Sequence, residues 1–83
     1  MLVRANVVFI GCKQESFKAK SGKDVSFQRV NFVPDGSEES MSLTALMDLD
    51  FSHFDKFCNL DLTFDFYTDA RSGYLKGKIV GIN

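Results

Sequence analysis

Leu60-Asp61-Leu62-Thr63-Phe64-Asp65-Phe66-Tyr67 alternates apolar and polar side chains without a break. Successive side chains of an extended strand point to opposite faces. A period of two therefore puts Leu60, Leu62, Phe64 and Phe66 on one face and Asp61, Thr63, Asp65 and Tyr67 on the other, predicting a half-buried strand. Downstream, Asp69-Ala70-Arg71-Ser72-Gly73 reads as a hairpin turn leading into a strand from Tyr74 to Ile82. That strand sets Tyr74, Lys76 and Lys78 on one face and Leu75, Gly77 and Ile79 on the other. Gly77 and Gly81 mark close approach or bending, as at barrel corners.

Upstream the period changes. Phe51, Phe54 and Phe57 recur every third residue, with Asp50 or Ser52 as a cap, which predicts one short helix or 3₁₀ segment between Asp48 and Phe57 that plugs the core. Before it, Met41, Leu43 and Ala45 against Ser42 and Thr44 predict a short strand from Ser40 to Leu46. Pro34-Asp35-Gly36-Ser37 is a turn. Val25 to Val33 is a second strand with two phases: either a bulge at Gln28-Arg29 gives it one apolar face, or Phe27 points away from the core. Ala19-Lys20-Ser21-Gly22-Lys23 is a hairpin turn with Gly22 at positive φ. Leu2 to Ile10 opens the chain as a strand with Val3, Ala5, Val7 and Phe9 on one face. Gly11 breaks its pattern, predicting a bulge before the strand resumes over Gln14 to Lys18.

The order strand, strand, strand, short helix, strand, strand predicts an all-β fold. It matches a five-stranded OB-type Greek-key barrel with one short helix between strands 3 and 4, an SH3-like barrel or β-meander being the competitor. Eighty-three residues, 45% hydrophobic and with a single proline, suit one OB-like domain over 1–83. No apolar run approaches the roughly 20 residues that cross a bilayer. The opening stretch holds Arg4 and Asn6, so it reads as a strand and not as a signal peptide. Cys12 and Cys58 form no CxxC pair and His53 is the sole histidine, so metal-ligand spacing is absent. Two reduced thiols in a chain read as unsecreted imply a cytoplasmic setting.

Charge is segregated along the chain. Residues 1–34 hold six lysines and arginines against two carboxylates, residues 35–69 hold Lys56 against nine, and residues 70–83 hold three cations and no carboxylate. Basic ends around an acidic middle predict one positive and one negative surface, the positive one suited to a polyanion.

Catalysis requires converging groups, and few are present. A nucleophile and base arrangement would have to use His53, which sits in the Phe-rich segment as a surface imidazole. Asp61 and Asp65 share a strand face with Thr63 and read as a solvated face before an acid/base pair or cation site. No GxGxxG, GxxxxGK[ST] or HExxH occurs, so no catalytic residue, metal or cofactor is expected and the chain reads as a non-enzyme. What remains is basic and aromatic: Phe17, Lys18, Lys20, Lys23 and Phe27 around the first hairpin, and Tyr67, Arg71, Tyr74, Lys76 and Lys78 around the last. Cations that track phosphates beside rings that stack on bases are the means by which single strands are held. In an OB barrel these two hairpins flank one face.

Phe17-Lys-Ala-Lys-Ser-Gly-Lys23, the aromatic Phe27 in a polar strand, and the closing Ser72-Gly-Tyr-Leu-Lys-Gly-Lys-Ile-Val80 resemble the small single-stranded DNA-binding proteins of phages and mobile elements, the gene V protein group. The resemblance implies an OB-type barrel, a homodimer, and sequence-tolerant coating of single strands during phage or plasmid replication. The acidic centre and the short connection after Phe32 depart from that group. The sequence thus favours a binding protein for single-stranded DNA, or RNA, with no membrane partner. The alternative is a small protein–protein interaction or accessory module of a phage or mobile element, docking a replication protein on its acidic segment 48–69.

Overall fold

A barrel closes when its first strand serves two neighbours, and this chain provides one long enough to do so. The computed structural model describes residues 1–83 as five strands joined by turns: β1 (Leu2–Lys18), β2 (Asp24–Pro34), β3 (Met41–Ala45), β4 (Asn59–Thr68) and β5 (Leu75–Ile82). β1 pairs with β4 over Leu2–Val8 and with β2 over Val7–Lys18, both antiparallel. The closed order is β1-β2-β3-β5-β4. The seam between β3 and β5 is parallel and short, with the registered pairs Thr44↔Lys78 and Ala45↔Ile79, extended by Leu46 N–H donating to Ile79 C=O at 3.1 Å.

The expected irregularity in β1 is present: the register shifts between Phe9 and Gly11, leaving Ile10 as the extra residue. The shift exchanges the two faces of the strand. Before it Val7 and Phe9 face the core. After it Cys12 and Gln14 share the inner side with Val30 and Gln28, their partners on β2, while Lys13, Glu15 and Phe17 face out with Arg29, Phe27 and Val25.

Ten apolar side chains from all five strands and one turn form the core: Val7, Phe9, Val30, Phe32, Ala45, Phe51, Leu60, Leu62, Phe64 and Ile79. β2 resolves the ambiguity left by its two phases. Its pairing runs without a shift through Gln28 and Arg29, so Phe27 points away from the core and Gln28 points in, 2% exposed. A buried amide must find partners. Gln28 Nε2 donates to the carbonyls of Leu46 (2.5 Å) and Leu49 (2.8 Å), and its Oε1 accepts from Cys12 Sγ at 3.4 Å.

The helix expected between strands 3 and 4 is replaced by turns. Three i→i+3 bonds stand apart along the connection, from Leu49 N to Leu46 O, Phe54 N to Phe51 O and Cys58 N to Asp55 O. Asp50 Oδ1 accepts from both Ser52 N (2.9 Å) and Ser52 Oγ (2.6 Å), a local Asx turn at the start of the Phe-rich segment. The three rings also part company. Phe51 is buried and stacks on Phe9 at 6.1 Å, Phe54 is half-buried, and Phe57 is 66% exposed on a left-handed backbone, φ 70°. Phe57 N–H and Phe9 C=O are bonded, as are Phe9 N–H and Cys58 C=O, so the end of the connection borders β1 before β4 begins.

At the other hairpin, Tyr74 lies in the turn and β5 starts one residue later. Leu75, expected on the inner face, is 72% exposed. Gly77 is the close approach that the sequence implies: a Cβ there would lie 2.7 Å from Phe66 Cε1. No helix of the chain is long and apolar enough to cross a membrane.

Candidate nucleic-acid interface

The odd-numbered residues of β2 face outward, and the register carries their row across the barrel. Lys13, Arg29, Thr44, Lys78 and Asp65 lie opposite one another on β1, β2, β3, β5 and β4. Neighbouring strands are about 4.8 Å apart, so Arg29 and Lys78 flank Thr44 across about 10 Å. β3 contributes the short side chains Ser42 and Thr44 to this face. Together with Arg29, Leu43, Tyr67, Leu75 and Lys76 they line a depression of about 450 Å³.

Rings paired with cations stand on both sides of this floor. On the β1–β2 side Phe17 meets Phe27 edge-on, centroids 6.0 Å apart, and the Arg29 guanidinium lies 5.8 Å from the Phe27 centroid. Phe17 is 54% exposed. On the β4–β5 side Lys78 Nζ lies 5.8 Å from the Tyr67 ring, and Tyr67 pairs across the strands with Lys76. Each cation lies over one face of its ring within cation–π range.

The structure therefore groups Phe17 with Phe27 on one side and Tyr67 with Lys76 and Lys78 on the other, with Arg29, Tyr67 and Lys76 meeting at the depression between them. Lys18 is on the other side of the β1–β2 ribbon, opposite Asp24 and in phase with Ser16. Lys20 and Lys23 mark the exposed tip of the first hairpin, and Arg71 and Tyr74 the exposed turn of the last. Lys76 is not free: its Nζ is 3.2 Å from Asp69 Oδ2. Asp69 also accepts from Ser72 Oγ (2.9 Å) and Arg71 N–H (3.4 Å). The Ser72 hydroxyl, then Lys76 and the Arg71 amide, hold its carboxyl below the usual carboxylate range.

Sequence reasoning missed Arg29, Ser42 and Thr44. The signal for Arg29 was present, because Phe27 facing outward entails Arg29 facing outward two residues on.

No family model, curated protein or solved structure matches this chain.

The acidic middle divides. Asp48, Asp50 and Asp55 belong to the connection held by Gln28, on the opposite side of β2 from Phe27 and Arg29. Asp61 is gripped by Arg4, Nε to Oδ2 2.9 Å and Nη2 to Oδ2 2.7 Å. Hydrogen bonding to Arg4 holds the Asp61 carboxyl below its ordinary value. Asp65 pairs with the Met1 ammonium at 3.2 Å. Asp65 and Asp69 do border the cationic row, so segregation from the face is incomplete.

Elsewhere the chemistry is sparse. His53 is exposed, its Nδ1 3.6 Å from Asp50 Oδ2 and its ring 4.3 Å from that of Phe54. Both cysteines are free thiols, and partial burial pushes that of Cys12 up. No three His, Cys, Asp or Glu side chains converge where they could hold a metal ion.

Proposed function

We propose that the barrel is of OB type and that its β2-β3-β5-β4 face holds single-stranded nucleic acid without sequence preference, as a coating protein acting without catalysis during phage or plasmid replication. The observation that carries this reading is the pair of ring and cation platforms, Phe17, Phe27 and Arg29 on one side and Tyr67 and Lys78 on the other, flanking a depression that Arg29 and Tyr67 both line. Strand order and the parallel closing pair support the OB assignment. In such barrels the strand 2–3 face and the two flanking loops take oligonucleotides, and those loops here carry Lys20, Lys23, Arg71 and Tyr74. Stacking is sequence-tolerant because every base has a π-face, each stacked base contributing about 1–3 kcal/mol.

Lys20, Lys23, Arg29, Arg71 and Lys78 are in none of the ion pairs. If these five neutralise phosphates, log K falls with log salt at a slope of about −3.5, taking about 0.7 per contact. Fluorescence anisotropy of labelled oligo-dT and a matched duplex at two salt concentrations tests this. Salt-sensitive binding of the single strand at micromolar or lower Kd is the expected outcome. Absence of binding at low salt overturns it.

Phe57 favours a second reading, a protein–protein module of a phage or mobile element. An exposed ring on a strained backbone, in the same connection as Asp48, Asp50 and Asp55, suits a basic partner such as a helicase, polymerase or nuclease. A chain that ignores nucleic acid yet forms a stable complex abolished by Phe57→Ala selects that reading.

A further inference from the structure

Beyond the Ile10 bulge, β1 leaves the barrel wall: from Gly11 to Lys18 its only strand neighbour is β2. The Ala19 N–H donates to Lys23 C=O at 2.8 Å, which sets the alternation of the ladder. Phe17 and Glu15 then exchange bonds with Val25 and Phe27, while Cys12, Gln14, Ser16 and Lys18 turn their N–H and C=O groups outward. This edge has no proline and no covering strand, and such an edge is a template for another chain.

We propose that its occupant is the same edge of a second copy, antiparallel about a two-fold axis through Gln14. Charge selects the register. An axis on Gln14 sets Lys13 against the partner's Glu15, and symmetry makes that pair twice. An axis on Lys13 or on Glu15 opposes like charges, which destabilises a strand pair. An axis on Ser16 leaves Glu15 facing an aromatic ring. The Gln14 register also directs the basic tip, with Lys18, Lys20 and Lys23, toward the partner's connection, where Asp48, Asp50 and Asp55 outnumber Lys56. The product is a four-stranded sheet, β2-β1-β1-β2, that puts Phe17, Val25 and Phe27 of both copies on one face. It stands independently of the nucleic-acid reading.

The test uses the whole chain. With Cys12→Ser and Cys58→Ser as background, Gln14→Cys places two thiols on the axis. Cα atoms of a bonded antiparallel pair are about 5.5 Å apart, within the span of a disulfide. Mild oxidation is expected to give a covalent dimer, whereas Ser26→Cys, on the far edge of the ribbon, stays uncrosslinked. Sedimentation equilibrium at tens of micromolar is expected to show a dimer for the wild type. Ser16→Pro deletes only an outward N–H and is expected to give a folded monomer. Lys13→Glu provides a second route: it dissociates the dimer, and Lys13→Glu with Glu15→Lys restores it. A monomeric wild type, or a dimer unaffected by Lys13→Glu and uncrosslinked through Gln14→Cys, overturns the proposal.

Discussion

The two hairpins beside the candidate interface are built from the same residue types but dispose of their charge differently. In the β4–β5 hairpin the turn consumes its own polar groups: Asp69 binds Lys76, Ser72 and the Arg71 amide, and Ser72 Oγ accepts from Tyr74 N–H at 3.3 Å. In the β1–β2 hairpin two backbone bonds and Gly22 at φ 85° make the turn, and Lys13, Lys18, Lys20, Lys23 and Arg29 enter no ion pair. One hairpin supplies shape and the other supplies charge. Counting lysines along the sequence does not distinguish them, because an ammonium already paired releases little on meeting a phosphate.

The strongest way to separate them is through the two glycines. Gly77→Val forces branched atoms into the Phe66 ring, where even a Cβ would stand at 2.7 Å. Overpacking of this kind costs about 1–3 kcal/mol, and each kcal/mol lowers Tm by about 4–8 °C in a domain of this size. Gly22→Val meets open space and carries only the left-handed backbone penalty, about 1–2 kcal/mol. Thermal melts that rank the two variants the other way would place the packing constraint in the wrong hairpin.

On the ligand side, Phe27→Ala and Tyr67→Ala are each expected to weaken oligo-dT binding by about 1–3 kcal/mol, five-fold to a hundred-fold or so by titration. Equal losses support a strand crossing both platforms; a loss confined to one confines the strand to that hairpin. Smaller still is the salt dependence. Lys20→Ala or Lys23→Ala should flatten the log–log slope by about 0.7, whereas Lys76→Ala leaves it unchanged because Asp69 already neutralises that ammonium.

The smallest effect is on acid stability. Asp61 and Asp69 titrate below their ordinary value in the folded chain. Their contribution is present above the unfolded carboxylate pKa and is lost as pH falls through the folded values. Asp69→Asn should remove part of the acid-side fall in urea midpoint measured from pH 7 to pH 2, and Arg4→Ala another part.

Local alternation made β4 and the halves of β1 legible, since a period of two needs only neighbours to read. Gly11 announced the bulge for the same reason. The helix misreading came from a period of three that isolated i→i+3 turns satisfy equally well. The face of Phe27, and with it Arg29, was hidden because it depends on Gln28 being buried. That burial is justified by carbonyls of Leu46 and Leu49, 18 and 21 residues along the chain, which no local pattern encodes. The same distance effect concealed the floor of Ser42 and Thr44, ordinary polar strand residues until β5 is set beside them.

The parallel seam has a kinetic consequence. The β1–β2 and β4–β5 hairpins form from near neighbours in sequence, but closing the barrel waits for β1 to find β4, with Leu2 opposite Asp65, and for β3 to find β5. Long-range pairing of this kind puts folding in the millisecond-to-second range. With two registered pairs, the β3–β5 joint is the last stitch made and the first to fray. Its amides, at the base of the candidate groove, should exchange with solvent through local opening while the Val7, Phe32 and Leu62 layer stays closed.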